Sequence, residues 1–115
     1  MTTLVVDGAN VVGSVPDGWW RDRKGAAVRL RGRLVDYAAA HPGTDVVLVV
    51  EGAARGVESV PGVRVESAPG SGDDHIVELV ERLGGPCTVV TADRELRSRV
   101  EALGARTVGP RTVRP

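Results

Sequence analysis

Short Val-rich apolar runs alternate along the chain with segments of helical period. Thr3 to Val6 reads as a first strand, β-branched and ended by Asp7, with Gly8 permitting a tight exit. Residues 11–22 carry Gly13, Pro16 and Gly18 without a period and read as a loop. From Lys24 to Ala40, Ala27, Leu30, Leu34 and Ala38 form an apolar stripe, while Arg29, Arg33 and Asp36 lie away from it. That spacing predicts a helix, stopped by His41-Pro42-Gly43. Asp45 to Val50 is apolar enough for a strand buried on both faces, and it ends on Glu51-Gly52 as the first ends on Asp7-Gly8. A loop with Gly and Pro follows over residues 53–62, and Val63 to Ser67 alternates weakly, as an edge strand does.

Ser71-Gly72-Asp73-Asp74 has the S-x-x-D form of a capping box. It predicts a helix to about Leu83 with Ile76, Val80 and Leu83 inward, stopped by Gly84-Gly85-Pro86. Cys87 to Thr91 is a fourth strand, running into Ala92-Asp93. A helix from there to Leu103 puts Leu96, Val100 and Leu103 inward, with Gly104 as its left-handed stop. Arg106 to Val108 adds a short last strand, and residues 109–115 read as a tail. This alternation implies an α/β fold: a mostly parallel sheet, right-handed crossovers and helices on both faces. With no repeat, linker or low-complexity segment, residues 1–115 read as a single domain.

Composition narrows the picture. The chain is 42% hydrophobic and 26% charged but has no Phe, so Val, Leu, Ile and Ala must build the core. Formal net charge is zero, so no global positive field draws nucleic acid, and any such binding must use local patches. The lone cysteine, Cys87, excludes an internal disulfide and fits a cytoplasmic setting. The N-terminal run lacks a basic flank and breaks at Asp7, unlike a signal peptide. No apolar stretch approaches the roughly 20 residues that cross a bilayer, so no membrane partner is expected.

In open parallel sheets, ligands bind outside the carboxyl ends of the strands. Asp7, Glu51 and Asp93 stand at three such ends, and the third strand leads to the helix start carrying Asp73 and Asp74. Two carboxylates about 4 Å apart repel by about 4 kcal/mol at an effective dielectric of 20, so the cluster calls for protonation or a hard cation. Oxygen ligands favour Mg²⁺ or Mn²⁺ over zinc, and no His/Cys set has zinc spacing. A carboxylate-held ion of that kind suits phosphate-ester hydrolysis. Each acid also has a plainer use. Asp73 or Asp74 serves a helix N-terminus equally well, Asp93 can cap the last helix, Glu51 can face water, and Glu78 sits on an exposed helix face.

Asp7-Gly8-Ala9-Asn10-Val11-Val12 resembles the D-G-x-N opening of the NYN domains, in particular the YacP-like branch, within the PIN-like ribonuclease superfamily. Gly72-Asp73-Asp74-His75-Ile76-Val77-Glu78 resembles that branch's second acidic element, and Thr91-Ala92-Asp93-Arg94-Glu95 its third. The ordered set spans nearly the whole chain. The resemblance implies a PIN-like three-layer α/β/α sandwich and Mg²⁺- or Mn²⁺-dependent cleavage of RNA. By position it makes Asp7, Asp73 and Asp93 metal-site carboxylates; the acidic rim itself adds Asp74 and Glu51 as supporting candidates. Asn10 would orient the site or a phosphate. Spacing to Ile76 favours Asp73 over Asp74 as the family's acid.

Trp19-Trp20, followed by Arg21, Arg23 and Lys24, reads as a stacking and phosphate-contacting edge, or as packing against the core or a second copy in a homodimer. Arg55 and Arg94 are candidate phosphate contacts, or surface charges and carboxylate partners. His75 follows the acidic pair as a base or a solvated first-turn residue, and Cys87 reads as a buried strand residue. No strongly basic segment stands out, which keeps a second reading open: a degenerate RNA-binding or interaction module of the same fold. Other acidic-rim enzymes are disfavoured by the opening stretch. Asp7-Gly8-Ala9 lacks the D-x-D of haloacid-dehalogenase phosphatases, Val6 stands where a receiver domain needs an acid, and no G-x-G-x-x-G occurs.

Overall fold

The computed structural model describes residues 1–114. Five strands form one sheet: β1 (Thr2–Asp7), β2 (Thr44–Val50), β3 (Val63–Ser67), β4 (Cys87–Val90) and β5 (Arg106–Val108). Their order is β3-β2-β1-β4-β5, and every pairing is parallel. Four α-helices connect them: α1 (Gly8–Gly13), α2 (Arg23–Ala40), α3 (Gly72–Leu83) and α4 (Arg94–Glu101). This is the α/β architecture that the alternation of apolar runs predicts, with β3 at an edge.

The central strands are buried on both faces because both faces carry helices. Leu4 and Val6 of β1, with Val46, Leu48 and Val50 of β2, pack against Ala26, Ala27, Leu30 and Leu34 of α2. The alternate residues Val5, Val47, Val49 and Val89 pack against Ile76, Leu79 and Val80 of α3 and Leu96 and Val100 of α4. Strand pleating sorts one continuous apolar run into two cores. The chain leaves β1 through α2 toward β2 and β3, then crosses back through α3 to β4 on the other side. The topological switch point therefore lies between the carboxyl ends of β1 and β4.

Three expectations need correction. Residues 11–22 are not loop throughout: the first three belong to α1, which starts at Gly8, and Trp19–Arg21 form a 3₁₀ turn. A six-residue helix with glycine at both ends leaves no period to read. The Asp7 carboxylate caps it by accepting from the Asn10 N–H at 3.4 Å. Second, residues 109–114 are not a loose tail; Pro115 lies outside the described residues. Pro110–Thr112 form a 3₁₀ turn, Val113 is 4% exposed, and the Arg114 guanidinium donates to the Val12 carbonyl at 3.2 Å and pairs with Asp17. Third, Leu103 is exposed rather than inward, since α4 ends at Glu101 and Gly104 turns at φ 91°. Leu79 joins Ile76 and Val80 in the core, while Leu83 is only partly buried.

Candidate active site

β1 carries Asp7 to the switch point and buries it; the residue is 8% exposed. Its Oδ2 accepts from the Thr91 hydroxyl at 2.9 Å, just past the last registered pair of β1 and β4, Val6 with Val90. Burial raises the Asp7 carboxyl to about 6, against the opposing pull of the Thr91 and Asn10 hydrogen bonds. The charges of Glu51 and Asp73 push it up further. Desolvation and like charge both disfavour ionisation, and only the two donors resist them.

Gly8 lets the chain turn here. A Cβ at that position would sit 2.6 Å from the Val49 carbonyl oxygen, backbone that cannot swing aside. Asn10 then reaches across to β4, its Oδ1 accepting from the Ala92 N–H at 2.8 Å. Because the oxygen is the accepting atom, the amide NH₂ is left to donate elsewhere. Thr91, fully buried, joins the two strand ends: its Oγ1 also accepts from the Asp93 N–H at 3.1 Å.

Glu51, Asp7 and Asp73 form the electrostatic group of the rim. Glu51 accepts a hydrogen bond from the Gly72 N–H, at the N-terminus of α3. Asp73 lies half-buried in the first turn of the same helix. Asp93 is tied in through its backbone, while its Oδ1 caps α4 by accepting from the Leu96 N–H at 3.1 Å. Asp74 turns away: it is exposed and pairs with Arg99 of α4 at 3.0 Å, which lowers its carboxyl below the usual range. His75 is not a solvated first-turn histidine. Its Nε2 lies 2.8 Å from Glu66 on β3, and its side chain is largely shielded. Glu78 is exposed and Cys87 buried, as the pattern predicts.

The donor set suits a hard cation in kind, being all oxygen. Among the described residues, though, no three acidic, His or Cys side chains close into a cage around an ion.

Beside the acids, between α1, α2 and the loop after β2, lies a cleft of about 320 Å³. Trp19 lines it, half-buried against the core, with the Arg23 guanidinium 5.3 Å from its ring centre. Trp20 stands outside, 49% exposed, edge-on to Trp19. Arg55 also lines the cleft, but its role is neither free surface charge nor carboxylate partner. It donates to the carbonyls of Ala68, Pro69 and Gly70 at 2.7, 3.1 and 3.4 Å, bracing the turn before α3. Arg94 is exposed in the first turn of α4 and has no carboxylate partner among the described residues. Sequence reasoning missed the bridging role of Thr91 and also Arg97, whose Nε donates to the Thr91 carbonyl at 2.8 Å. A β-branched residue just past a strand end and a helix arginine carry no signal until the strands are placed side by side.

The parallel sheet with helices on both faces is a YacP-like fold. It is shared with the crystal structure of Rae1 (YacP) from Bacillus subtilis, with a TM-score of 0.80 and 21% identity over 96% of this chain and 70% of that one. A tryptophan-to-leucine variant of the same protein gives 0.79 and 22% over 98% and 72%. At such identities the likeness is one of fold. No family model matches the chain, and no curated protein matches it in sequence.

Proposed function

We propose that this chain is an NYN-type, metal-dependent ribonuclease that hydrolyses RNA phosphodiester bonds at the rim formed by Asp7, Glu51, Asp73 and Asp93. The observation that carries the reading is the buried Asp7 at the switch point, held between donors from Asn10 and Thr91 and pressed by the charges of Glu51 and Asp73. A structural acid gains nothing from like charges at its side; a cation-binding acid does. The YacP-like fold and the D-G-x-N opening agree with it.

Mg²⁺ or Mn²⁺ bound there would polarise the phosphate, activate water and neutralise the leaving oxygen. Asp7 and Asp73 are the first candidates to hold it, with Glu51 and Asp93 beside them. Thr91 fixes the Asp7 carboxylate, and its second hydrogen bond fixes the backbone that presents Asp93. Asn10, locked to Ala92, offers its NH₂ to a phosphate oxygen. Asp74, turned to Arg99, supports the site only through the α3 N-terminus.

The test is cleavage of end-labelled single-stranded RNA by purified protein with Mg²⁺ or Mn²⁺, with a chelator control and Asp7→Asn. Metal-dependent cleavage abolished by the substitution supports the assignment, and equal cleavage by both proteins removes it. The lack of a closed three-acid cage favours a second reading, an RNA-binding module without catalysis. That reading predicts RNA binding with no heat of metal binding at the rim.

A further inference from the structure

We infer that the cleft between α1, α2 and the loop after β2 is a subsite for one unpaired nucleobase of the RNA substrate. The inference rests on the ribonuclease reading for its substrate class. Gly8 and Glu51 belong both to the cleft wall and to the acidic rim, so an occupant lies beside the reacting phosphate. The cleft, at about 320 Å³, stands at the small end of ligand-sized pockets, which suits a single base with part of its sugar. Its inner walls are apolar, from Val12, Ala27, Val50 and Ala54.

Trp19 gives this wall the one feature that distinguishes a base from an aliphatic group, an extended aromatic surface. Its place is fixed from behind by the core and by Gly13, where an added Cβ would lie 3.6 Å from the indole. Arg23 lies over that ring at 5.3 Å, exposed and without a carboxylate partner among the described residues. Arg55 stands at the other side, its Nε and Nη2 engaged by carbonyls. Arg23, the free guanidinium beside this apolar, aromatic slot, complements the phosphate next to a seated base. In a chain of zero net charge, such a local cation supplies the attraction that the whole molecule does not.

The experiment titrates the intact protein, in chelator so that nothing is cut, with a mixed-sequence single-stranded RNA hexamer and with an abasic hexamer of the same length. Backbone amide spectra read the site. The hexamer should shift the amides of Val50 and Ala54, while the abasic oligomer leaves them in place and binds at least 5-fold more weakly. Trp19→Ala should weaken the hexamer by roughly 5- to 150-fold, the range of one lost base–aromatic stack. Since Trp19 also touches the core, Ala54→Leu is the second variant. It grows into the cleft, and should reduce the hexamer to the abasic affinity. Equal binding of the two oligomers, no binding of either, or full RNA affinity in Ala54→Leu overturns the inference. Base-dependent binding without metal-dependent cleavage keeps the subsite and removes the nuclease. Cleavage at an unchanged rate in Ala54→Leu does the reverse.

Discussion

The Thr91 hydroxyl donates to Asp7 Oδ2 at 2.9 Å while its oxygen accepts from the Asp93 N–H at 3.1 Å. One buried hydroxyl thus ties the acid at the end of β1 to the chain that leaves β4. Thr91→Val keeps the shape and removes both bonds, leaving an acceptor and a donor without partners. The expected cost is about 1–3 kcal/mol of stability. The Asp7 carboxyl should also move up from about 6, because the hydroxyl is the strongest influence holding it down. A carboxyl-carbon NMR titration of the variant, beside urea unfolding, reads both effects. An unmoved Asp7 would show that the hydroxyl faces elsewhere in solution.

Asp7→Asn should stabilise the protein at pH 8 and abolish cleavage. The sign follows from the raised acid. Between its ordinary value of 3.8 and about 6, the folded chain holds a proton at Asp7 that the unfolded chain has released. Stability tied to Asp7 is therefore present below pH 4 and lost as pH rises through 6, by about 3 kcal/mol for a shift of this size. Asparagine never ionises, so the variant escapes that loss but weakens one accepted hydrogen bond, worth about 1 kcal/mol. A gain of about 1–3 kcal/mol at pH 8 and none at pH 4 is expected from paired urea curves. Asp17 and Asp74, whose carboxyls are lowered by Arg114 and Arg99, pull the other way in acid but do so equally in both proteins.

Divalent metal and protons should compete for the same carboxylate. Above pH 6 Asp7 is ionised, and Mn²⁺ should raise the unfolding midpoint; at a hundredfold excess over its dissociation constant the gain is about 2.7 kcal/mol. Below pH 6 each unit of acid should weaken metal binding by up to tenfold, as Asp7 takes its proton back. Calorimetric titration at pH 5, 6 and 7.5 checks this. Affinity independent of pH across that range would place the ion away from Asp7.

Much of this site is legible in the chain because buried parallel strands announce themselves as apolar runs, and an acid ending such a run must lie at the sheet's carboxyl edge. That argument places Asp7, Glu51 and Asp93 without any contact being known. The long-range partners are not legible. Thr91 meets Asp7 across 84 positions, and Asn10 meets Ala92 across 82. Nothing local in a threonine marks it as a bridge. The roles of Asp74 and Arg55 escape the sequence for a related reason. An ion pair with Arg99 on a neighbouring helix, and a guanidinium on three loop carbonyls, depend on packing between elements that periodicity does not encode. Residues 8–13 escape because one short turn of helix between glycines has no repeat.

Gly8→Ala should be far more damaging than its single methyl suggests. The added carbon would meet the Val49 carbonyl oxygen at 2.6 Å and the Leu48 side chain at 3.2 Å. Leu48 can adjust, whereas the carbonyl belongs to β2 backbone. α1 must move off the sheet, carrying Asn10 from Ala92 and loosening the cap on Asp7. An overpacking cost of about 1–3 kcal/mol is expected. Activity should fall beyond what the unfolded fraction explains, measured at a temperature where circular dichroism shows the variant folded. Full activity there would mean that α1 tolerates displacement and that Asn10 is not needed.

Arg55 offers the sharpest separation of a bracing role from a charge role. Its planar fork holds the carbonyls of Ala68, Pro69 and Gly70 together, and the α3 N-terminus that meets Glu51 follows directly. A lysine keeps the positive charge but is a point donor that cannot span the same carbonyls. If the arginine served the site only by attracting phosphate, Arg55→Lys would behave as wild type. Bracing predicts that Arg55→Lys and Arg55→Ala lose similar stability, about 1–2 kcal/mol, since each leaves the part-buried Ala68 carbonyl without its donor. Amide hydrogen exchange should then rise in residues 68–72 in both variants and stay unchanged in α4, which Arg55 does not touch. Protection in 68–72 that survives in the lysine variant would return Arg55 to the role of a simple phosphate contact.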